Sequence, residues 1–548
     1  MGKIKVVLFF FVLILLSQTA FGQNRYAVHF KFKPQDSFTL SNPFEYLTAG
    51  AIDRRTNQNI PIDSLDLPVS QKYIDGIKPF TQEILFKSQW MNAAIVVANE
   101  IEVGNIQSLP FVDKVVLAAP GFNPSGRMDN RSNDRTGLKL SLKFRSKKVN
   151  TPFDFQNELL GIQNMHEMGF KGKGITVAVF DAGFPGVDNI PALSHLFTNN
   201  QIKGSKDFVH TWNDNVFTKN QHGTNVLSLI ASDDPQLLLA GAPEANYILC
   251  ITEEVSTEYR IEEYNWVKAA EYADSLGVDI INSSLGYLDF DDKTMDYTAD
   301  SLDGATAIIT KGATIAANKG ILVITSAGNY GSKGMSSLTA PADAKGILSI
   351  GAVQENLQMA GFSSQGPTAD GRIKPELSTY GVGVYLLRPD GSLSRSNGTS
   401  FSAPQIAALA AGLWGARPEW SKDELIDNLI KGATMSDQPD NFVGYGIPNF
   451  TKSYYGEILE IVNVEKELEW KVYPNPLEGH DLSILFGDQL VGEFALYDLS
   501  GRNIYKRQVQ RLSNREAFQV NLPGLISGIY VVEMQSGRDL KNTKLIKR

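Results

Sequence analysis

Apolar positions along this chain follow three successive patterns. Near the N-terminus, Tyr26-Ala-Val-His-Phe-Lys-Phe-Lys33 alternates with the two-residue period of a half-buried strand. Ala93-Ala-Ile-Val-Val-Ala98 and Val112-Asp-Lys-Val-Val-Leu117 predict two more strands, the second after the turn-like Leu109-Pro110. Residues 23–120 therefore read as a small α+β unit. From about Thr151 to Tyr455 the pattern changes to continuous apolar strands separated by helical stretches. Gly174-Ile-Thr-Val-Ala-Val-Phe180 predicts a strand, Tyr259 to Leu276 a helix, and Val278-Asp-Ile-Ile-Asn282 a strand. Ala305 to Ala317 predicts a helix, and Ile321-Leu-Val-Ile-Thr325 and Ile347 to Val353 two strands. Strands that are apolar on both faces must be covered on both, so the class is α/β, a doubly wound, mostly parallel sheet between helices. In such sheets functional residues gather at the carboxyl ends of the strands. Residues 469–548 return to short strands. Phe494-Ala-Leu-Tyr497, Asn503-Ile-Tyr505, Phe518-Gln-Val520 and Ile529-Tyr-Val-Val-Glu533 are divided by the turns Asp498-Leu-Ser-Gly501 and Leu525-Ile-Ser-Gly528, a small β-sandwich pattern.

Composition adjusts this picture in a few places. The chain has 548 residues, too many for one compact domain, and its 43% hydrophobic and 20% charged residues suit globular units with sizeable cores. A formal net charge of -9 disfavours a nucleic-acid partner. Residues 1–22 read as a signal peptide. Lys3 and Lys5 precede an apolar run from Val6 to Leu16, and Ala20 and Gly22 place a cut before Gln23. That run falls short of the ~20 residues a spanning helix needs, so no membrane span is expected in the mature protein. Cys250 is the single cysteine, which rules out an intramolecular disulfide and leaves stability to packing or bound ions. It follows Tyr247-Ile-Leu249 and reads as a small core residue. Residues 121–150 carry Arg127, Arg131, Arg135, Lys139, Lys143, Arg145, Lys147 and Lys148 among polar residues, as a solvated linker or processing region would.

Candidate chemistry is confined to the central segment. Asp181 follows the strand ending at Phe180 and precedes Ala182-Gly183. His222 lies in Gln221-His-Gly-Thr224, ahead of a helix-like run; the other histidines (His29, His166, His195, His210 and His480) lie in no recognisable motif. Asn329 closes Thr325-Ser-Ala-Gly-Asn329. Ser400 lies in Gly398-Thr-Ser-Phe-Ser-Ala-Pro404, before an alanine-rich helix, where free N–H groups favour negative charge. Pro404 is expected in the first turn of that helix, where no N–H is needed. Taken singly, each has an ordinary reading: a turn aspartate, a packed histidine, a turn asparagine, an N-capping serine.

Together, in the order Asp…His…Ser, they resemble the subtilisin-like serine protease family. The resemblance is carried by Val179-Phe-Asp-Ala-Gly183, His222-Gly-Thr224, Ser284-Leu-Gly286, Ala327-Gly-Asn329, Gly398 to Pro404, and Phe362-Ser-Ser-Gln-Gly-Pro367 continuing to Asp370-Gly-Arg-Ile-Lys-Pro375. It spans residues 151–455. It implies that Ser400 is the nucleophile, His222 its base and then acid, and Asp181 the group that orients the imidazole. It also implies an oxyanion hole from the Asn329 amide and the Ser400 N–H. Ser284, Leu285 and Gly286 would pair with an extended protein or peptide substrate, and Ala327 and Gly328 would complete the pocket wall. Residues 23–120 resemble the family's inhibitory propeptides, an intramolecular partner. Residues 469–548 resemble the C-terminal sorting domain of the type IX secretion system of Bacteroidetes. That resemblance rests on Tyr473-Pro-Asn-Pro476, Leu496-Tyr-Asp-Leu-Ser-Gly-Arg502, Gly528-Ile-Tyr530 and the tail lysines Lys541, Lys544 and Lys547. It implies export through the periplasm of a Gram-negative bacterium to the surface or medium.

Two readings compete, a catalytically inactive binding protein on a protease fold, and another serine hydrolase. The second is disfavoured because a lipase-type elbow reads Gly-x-Ser-x-Gly, whereas this chain has Gly398-Thr-Ser-Phe-Ser402. A carbohydrate- or surface-binding role for the C-terminal domain is a third. One acidic run, Asp289, Asp291, Asp292, Asp296, Asp300 and Asp303, reads either as a solvated loop, the usual meaning of such a run, or as a border of the cleft that would favour basic substrate residues. Its spacing matches no calcium loop. No cofactor is assigned, and a structural calcium ion is left open.

Overall fold

A computed structural model describes residues 23–35, 37–121, 153–456, 470–486, 490–511, 516–537 and 539–548. The expected signal peptide and nearly all of the basic linker lie outside the described residues. The chain divides into two compact units, residues 1–454 and 455–548.

The first unit begins with strand β1 (Asn24–Phe30), helices α1 (Ala49–Asn57) and α2 (Gln71–Ile77), strands β2 (Glu83–Ser88) and β3 (Ala93–Ala98), helix α3 (Glu100–Gln107) and strand β4 (Val112–Ala119). The strands form one sheet in the order β2-β3-β1-β4, with β1 antiparallel to both neighbours. Asn99 and Glu102 form a capping box at the start of α3. The two faces of the sheet differ. Tyr26, Val28, Phe30 and Val96 pack with Ile74 and Ile77 of α2, whereas Ala27, Ile95, Ala118 and Ala119 face outward against Ile261 and Tyr264 of the larger domain. Small side chains on that second face permit the close approach.

The larger domain follows with β5 (Thr176–Asp181), β6 (Ile202–Asp207), α4 (His222–Ala231), β7 (Asn246–Ile251), α5 (Ile261–Ser275), β8 (Ile280–Ser283), α6 (Ile308–Asn318), β9 (Leu322–Ser326), β10 (Leu348–Val353), β11 (Leu377–Tyr380), the hairpin β12 (Val382–Leu387) and β13 (Leu393–Asn397), α7 (Thr399–Ala416) and α8 (Lys422–Lys431). Seven strands form a sheet in the order β11-β10-β9-β8-β5-β7-β6, every pairing parallel. Alternation along β5 serves both faces. Val177 and Val179 join the core built with α4 and α7, while Ala178 and Phe180 join Trp266 of α5 and Ala313 of α6. Cys250 on β7 is fully buried, and burial holds its thiol protonated, so it is a core residue as expected.

Helix α7 is buried on every side from Phe401 to Trp414 and runs through the core. It starts at Thr399, so Pro404 lies in its second turn and not in the first, as the sequence suggested. A proline there removes the N–H that would bond the carbonyl of Ser400.

The N-terminal sheet and the larger domain share buried charges. Arg54 and Arg55 of α1 both engage Asp274 near the end of α5, with Arg55 Nη2 at 2.7 Å from Asp274 and 2.6 Å from Asp66. Lys319 donates to Asp66 at 2.8 Å and to Asp63 at 2.9 Å. Glu271 accepts from Ser88 Oγ at 2.6 Å and from the Trp90 N–H at 3.0 Å. His29 Nε2 meets the Tyr264 hydroxyl at 2.9 Å. Burial holds the His29 imidazole down at about 4, so it docks neutral.

The second unit packs a three-stranded sheet, β14 (Trp470–Tyr473), β15 (Asp481–Phe486) and β18 (Phe518–Asn521), against a four-stranded one. The latter contains β16 (Val491–Asp498), β17 (Asn503–Gln510), β19 (Gly528–Ser536) and β20 (Asp539–Lys547). Its inward Leu482, Phe494, Phe518, Val532 and Leu545 form the core of the expected sandwich.

Two predictions follow from the interface. Asp274→Ala leaves two buried guanidinium groups short of a partner and should destabilise the intact chain by ~3–5 kcal/mol in urea unfolding. His29 gains its proton only on release. Its stabilisation is thus complete above its ordinary value of 6.5, is lost as the pH falls toward about 4, and levels off below. His29→Gln should shrink the difference in urea midpoint between pH 7 and pH 5.

Candidate active site

The carboxyl edge of the parallel sheet brings the candidate residues to one cleft of about 300 Å³. Asp181 ends β5, near the middle of the sheet, and is fully buried. Its carboxylate accepts the Ala182 N–H at 2.8 Å and contacts His222 Nδ1 at 2.8 and 2.9 Å. His222 opens α4, and Asn220 Oδ1 takes its backbone N–H at 2.9 Å. Gly223 makes that approach feasible. A Cβ there would lie 2.3 Å from the Gly183 carbonyl and 2.9 Å from Asp181 Cβ. Burial pulls the imidazole of His222 down, but the charge and hydrogen bond of Asp181 outweigh it. With a smaller contribution from Glu253, they leave it above the ordinary histidine value.

Ser400 is the second residue of α7, where its N–H has no intrahelical acceptor. Its carbonyl, freed by Pro404, accepts the Ser284 hydroxyl at 2.9 Å. Its own hydroxyl donates back to the Ser284 carbonyl at 3.0 Å. Among the described contacts, none joins Ser400 Oγ to His222 Nε2. Both residues line the cleft, and the Phe401 ring packs 5.5 Å from the His222 ring. Engaging the imidazole requires the Ser400 side chain to rotate off Ser284, an adjustment common where hydrogen bonds tighten only on substrate binding.

Asn329 is fixed through its carbonyl. Oδ1 accepts from both the Thr399 N–H and the Thr399 hydroxyl at 3.0 Å, which leaves its Nδ2 for the cleft. Ser284, Leu285, Gly286 and Gly328 line the same cleft. Gly328 sits at φ +110°, and a Cβ there would meet Thr339 and Ser364 at 2.8 Å. Ala327 departs from expectation. Its side chain lies in the core cluster with Leu338 and Ala340, and strand alternation gives the cleft face to Ser326 and Gly328.

The acidic run departs as well. Asp289 pairs with Lys333 at 3.0 Å, and Asp291 accepts the Glu258 N–H at 3.1 Å. Asp292 caps a short turn through Thr294, Asp296 accepts the Phe290 N–H at 2.6 Å, and Asp303 accepts those of Ala305 and Thr306. None of the six aspartates lines the cleft. The acid that does is Glu253, which sequence reasoning missed. Burial, then Glu258 and Asp181, push its carboxyl up to about 8 against the pull of His222. The available signal was its place just beyond β7, the parallel neighbour of β5, whose Thr252 N–H bonds the Asp181 carbonyl at 3.0 Å.

Comparison with known proteins gives this cleft a context. Residues 172–446 match the profile of the Subtilase family, residues 25–135 that of the Peptidase S8 propeptide domain of Bacteroidota, and residues 471–548 that of the Secretion system C-terminal sorting domain. The chain is 30% identical over 274 residues to Subtilisin amylosacchariticus of Bacillus subtilis subsp. amylosacchariticus, covering 49% of this chain and 63% of that protein. It is 29% identical over 311 residues to Subtilisin DY of Bacillus licheniformis, covering 56% of this chain and 95% of that protein. Against MycP1 from Mycobacterium smegmatis, a solved structure, the TM-score is 0.46 at 21% identity, covering 59% of this chain and 90% of that one.

The cleft geometry predicts that the His222 imidazole, followed by NMR, titrates above the ordinary histidine range, and that Asp181→Asn moves it down. A titration unchanged by that substitution would refute the pairing.

Proposed function

The chain belongs to the subtilase family, and on that premise we propose that it is a secreted serine endopeptidase synthesised as a zymogen. The observation that carries this reading is the buried Asp181–His222 hydrogen bond at 2.8 Å, in the cleft that Ser400 and Asn329 also line. A substrate pairs in extended form with Ser284–Gly286, which places its scissile carbonyl over Ser400. Ser400 Oγ leaves the Ser284 carbonyl, gives its proton to His222 Nε2 and forms a bond to the carbonyl carbon. Asp181 stays ionised and holds the imidazolium. The oxyanion is met by Asn329 Nδ2 and the Ser400 N–H at the positive end of α7. His222 then protonates the leaving amine, and water reverses the sequence to release the acyl group.

The flanking domains support the zymogen and export readings. Residues 25–135 match a propeptide profile, and Ala27, Ile95, Ala118 and Ala119 among them pack against Ile261 and Tyr264 of α5, so the N-terminal domain is an intramolecular inhibitor in this account. Residues 471–548 match a sorting-domain profile, which supports delivery by the type IX machinery to the cell surface or medium.

One observation favours the inactive binding-protein alternative, the bond from Ser400 Oγ to the Ser284 carbonyl in place of one to His222. Labelling of the mature protein with a fluorophosphonate decides between them. We expect modification at Ser400, abolished by Ser400→Ala and weakened by His222→Ala. Asn329→Ala should lower kcat by ~10²–10³, the magnitude found for the asparagine of a subtilisin oxyanion hole. Folded, propeptide-free protein that takes no label would overturn the enzymatic reading.

A further inference from the structure

Two glycines of the cleft are separated by a single side chain. Gly286 ends the Ser284–Gly286 segment, Gly328 precedes Asn329, and both line the cleft together with Thr339. A Cβ on Gly286 would collide with Thr339 Oγ1. One on Gly328 would lie 2.8 Å from Thr339 Oγ1, from Thr339 Cγ2 and from Ser364 Oγ. The threonine therefore spans the gap between the two segments. Gly328 needs its glycine for the backbone, at φ +110°. Gly286 lies outside the left-handed region, so it is the threonine and not the backbone that forbids a side chain there. Thr339 is only 1% exposed although it lines the cleft, as befits a group that closes the bottom of a slot.

The threonine is held from both sides. Its N–H donates to the Ala327 carbonyl at 3.1 Å, and the next residue, Ala340, exchanges both backbone hydrogen bonds with Tyr287 at 2.9 Å. Its segment is thus paired to each wall of the slot at once. Ser364 is fixed in the same way, its N–H bonded to the Gly328 carbonyl at 3.0 Å and its hydroxyl accepting the Tyr330 N–H at 3.0 Å. A β-branched side chain on such a backbone has few rotamers into which it could turn away.

On the enzymatic reading above, we propose that Thr339 sets the substrate class. The protein cuts after residues with small side chains, alanine, serine or glycine, and discriminates against large aliphatic and aromatic ones. A substrate paired in extended form along Ser284–Gly286 turns successive side chains to opposite sides. With the scissile carbonyl over Ser400, the side chain on the acyl side of that bond enters between Gly286 and Gly328, where neither wall carries a Cβ. A methyl or hydroxymethyl group stops above Thr339. Leucine or phenylalanine needs volume that the threonine already fills, and overfilling a packed site costs affinity. One methylene of misfit in an apolar pocket is worth about 10–200-fold in kcat/KM.

Mature enzyme, quantified by fluorophosphonate labelling of Ser400 in a portion of each sample, tests this on peptides that differ only in the residue before the cut. We expect kcat/KM for the alanine peptide to exceed that for the phenylalanine peptide at least tenfold. In Thr339→Gly the phenylalanine-to-alanine ratio should rise at least tenfold. Cuts mapped by mass spectrometry in a mixture of denatured proteins should fall after alanine, serine and glycine, a measurement that needs only the wild-type chain and so does not depend on Thr339→Gly folding. Enzyme that labels at Ser400 yet cleaves after phenylalanine or leucine as readily as after alanine would overturn the role of Thr339 and leave the enzymatic reading standing. An unchanged ratio in Thr339→Gly that still labels would do the same. Folded, propeptide-free protein that takes no label would sink both.

Discussion

The geometry of the cleft depends on a missing hydrogen bond inside α7. Pro404 cannot donate to the Ser400 carbonyl, and the Ser284 hydroxyl takes that place at 2.9 Å. A helix defect thereby becomes a joint between the end of β8 and the start of α7. Ser284 is held in turn by the Asn282 amide at 3.2 Å. The segment that would pair with substrate and the helix that carries Ser400 are thus registered through two atoms of one residue. Asn329 joins the same assembly through Thr399, so two strand ends and one helix start are mutually positioned before any ligand arrives.

Much of the architecture was legible in the sequence because central parallel strands must be apolar on both faces. Gly174–Phe180, Val278–Asn282 and Ile321–Thr325 each differ from the observed strand by only one or two residues at either end. β6 was not legible. Its Ile202-Lys-Gly-Ser-Lys-Asp207 is a sheet edge buried only at Asp207, so packing imposes little on its composition. The hairpin of β12 and β13 was missed for a similar reason, since β13 buries none of its residues. The motif residues converge because they occupy the carboxyl ends of adjacent strands and the starts of the helices that follow. Glu253 carries no motif and acquires its position from strand order alone, since β7 pairs with β5. Likewise, nothing in Gly398–Pro404 reveals which acceptor the Ser400 hydroxyl takes.

Electrostatics in the cleft are arranged around one imidazole. Asp181 is fully buried and shares its oxygens between His222 and the Ala182 N–H. Glu253, in the same cleft, adds the smallest of the upward pulls on that imidazole, and its own carboxyl is pushed up to about 8. Of the aspartates that looked suited to that task, Asp289, Asp291, Asp292, Asp296 and Asp303 are occupied in loop construction, bonded to a nearby N–H or lysine. Charge counted along a sequence is therefore a poor guide to charge felt in a cleft.

The buried pairs made by Arg54, Arg55 and Lys319 have a consequence for how long the N-terminal domain stays in place. They cross between domains through buried side chains, so cutting the connecting peptide breaks no contact in the seam. A nicked chain would persist as a tight two-piece complex, much like an obligate heterodimer. Freedom for the larger piece would then depend on destruction of the smaller one, and under the proposed function a single liberated molecule that digests its neighbours' detached fragments would make the onset of activity autocatalytic across a population.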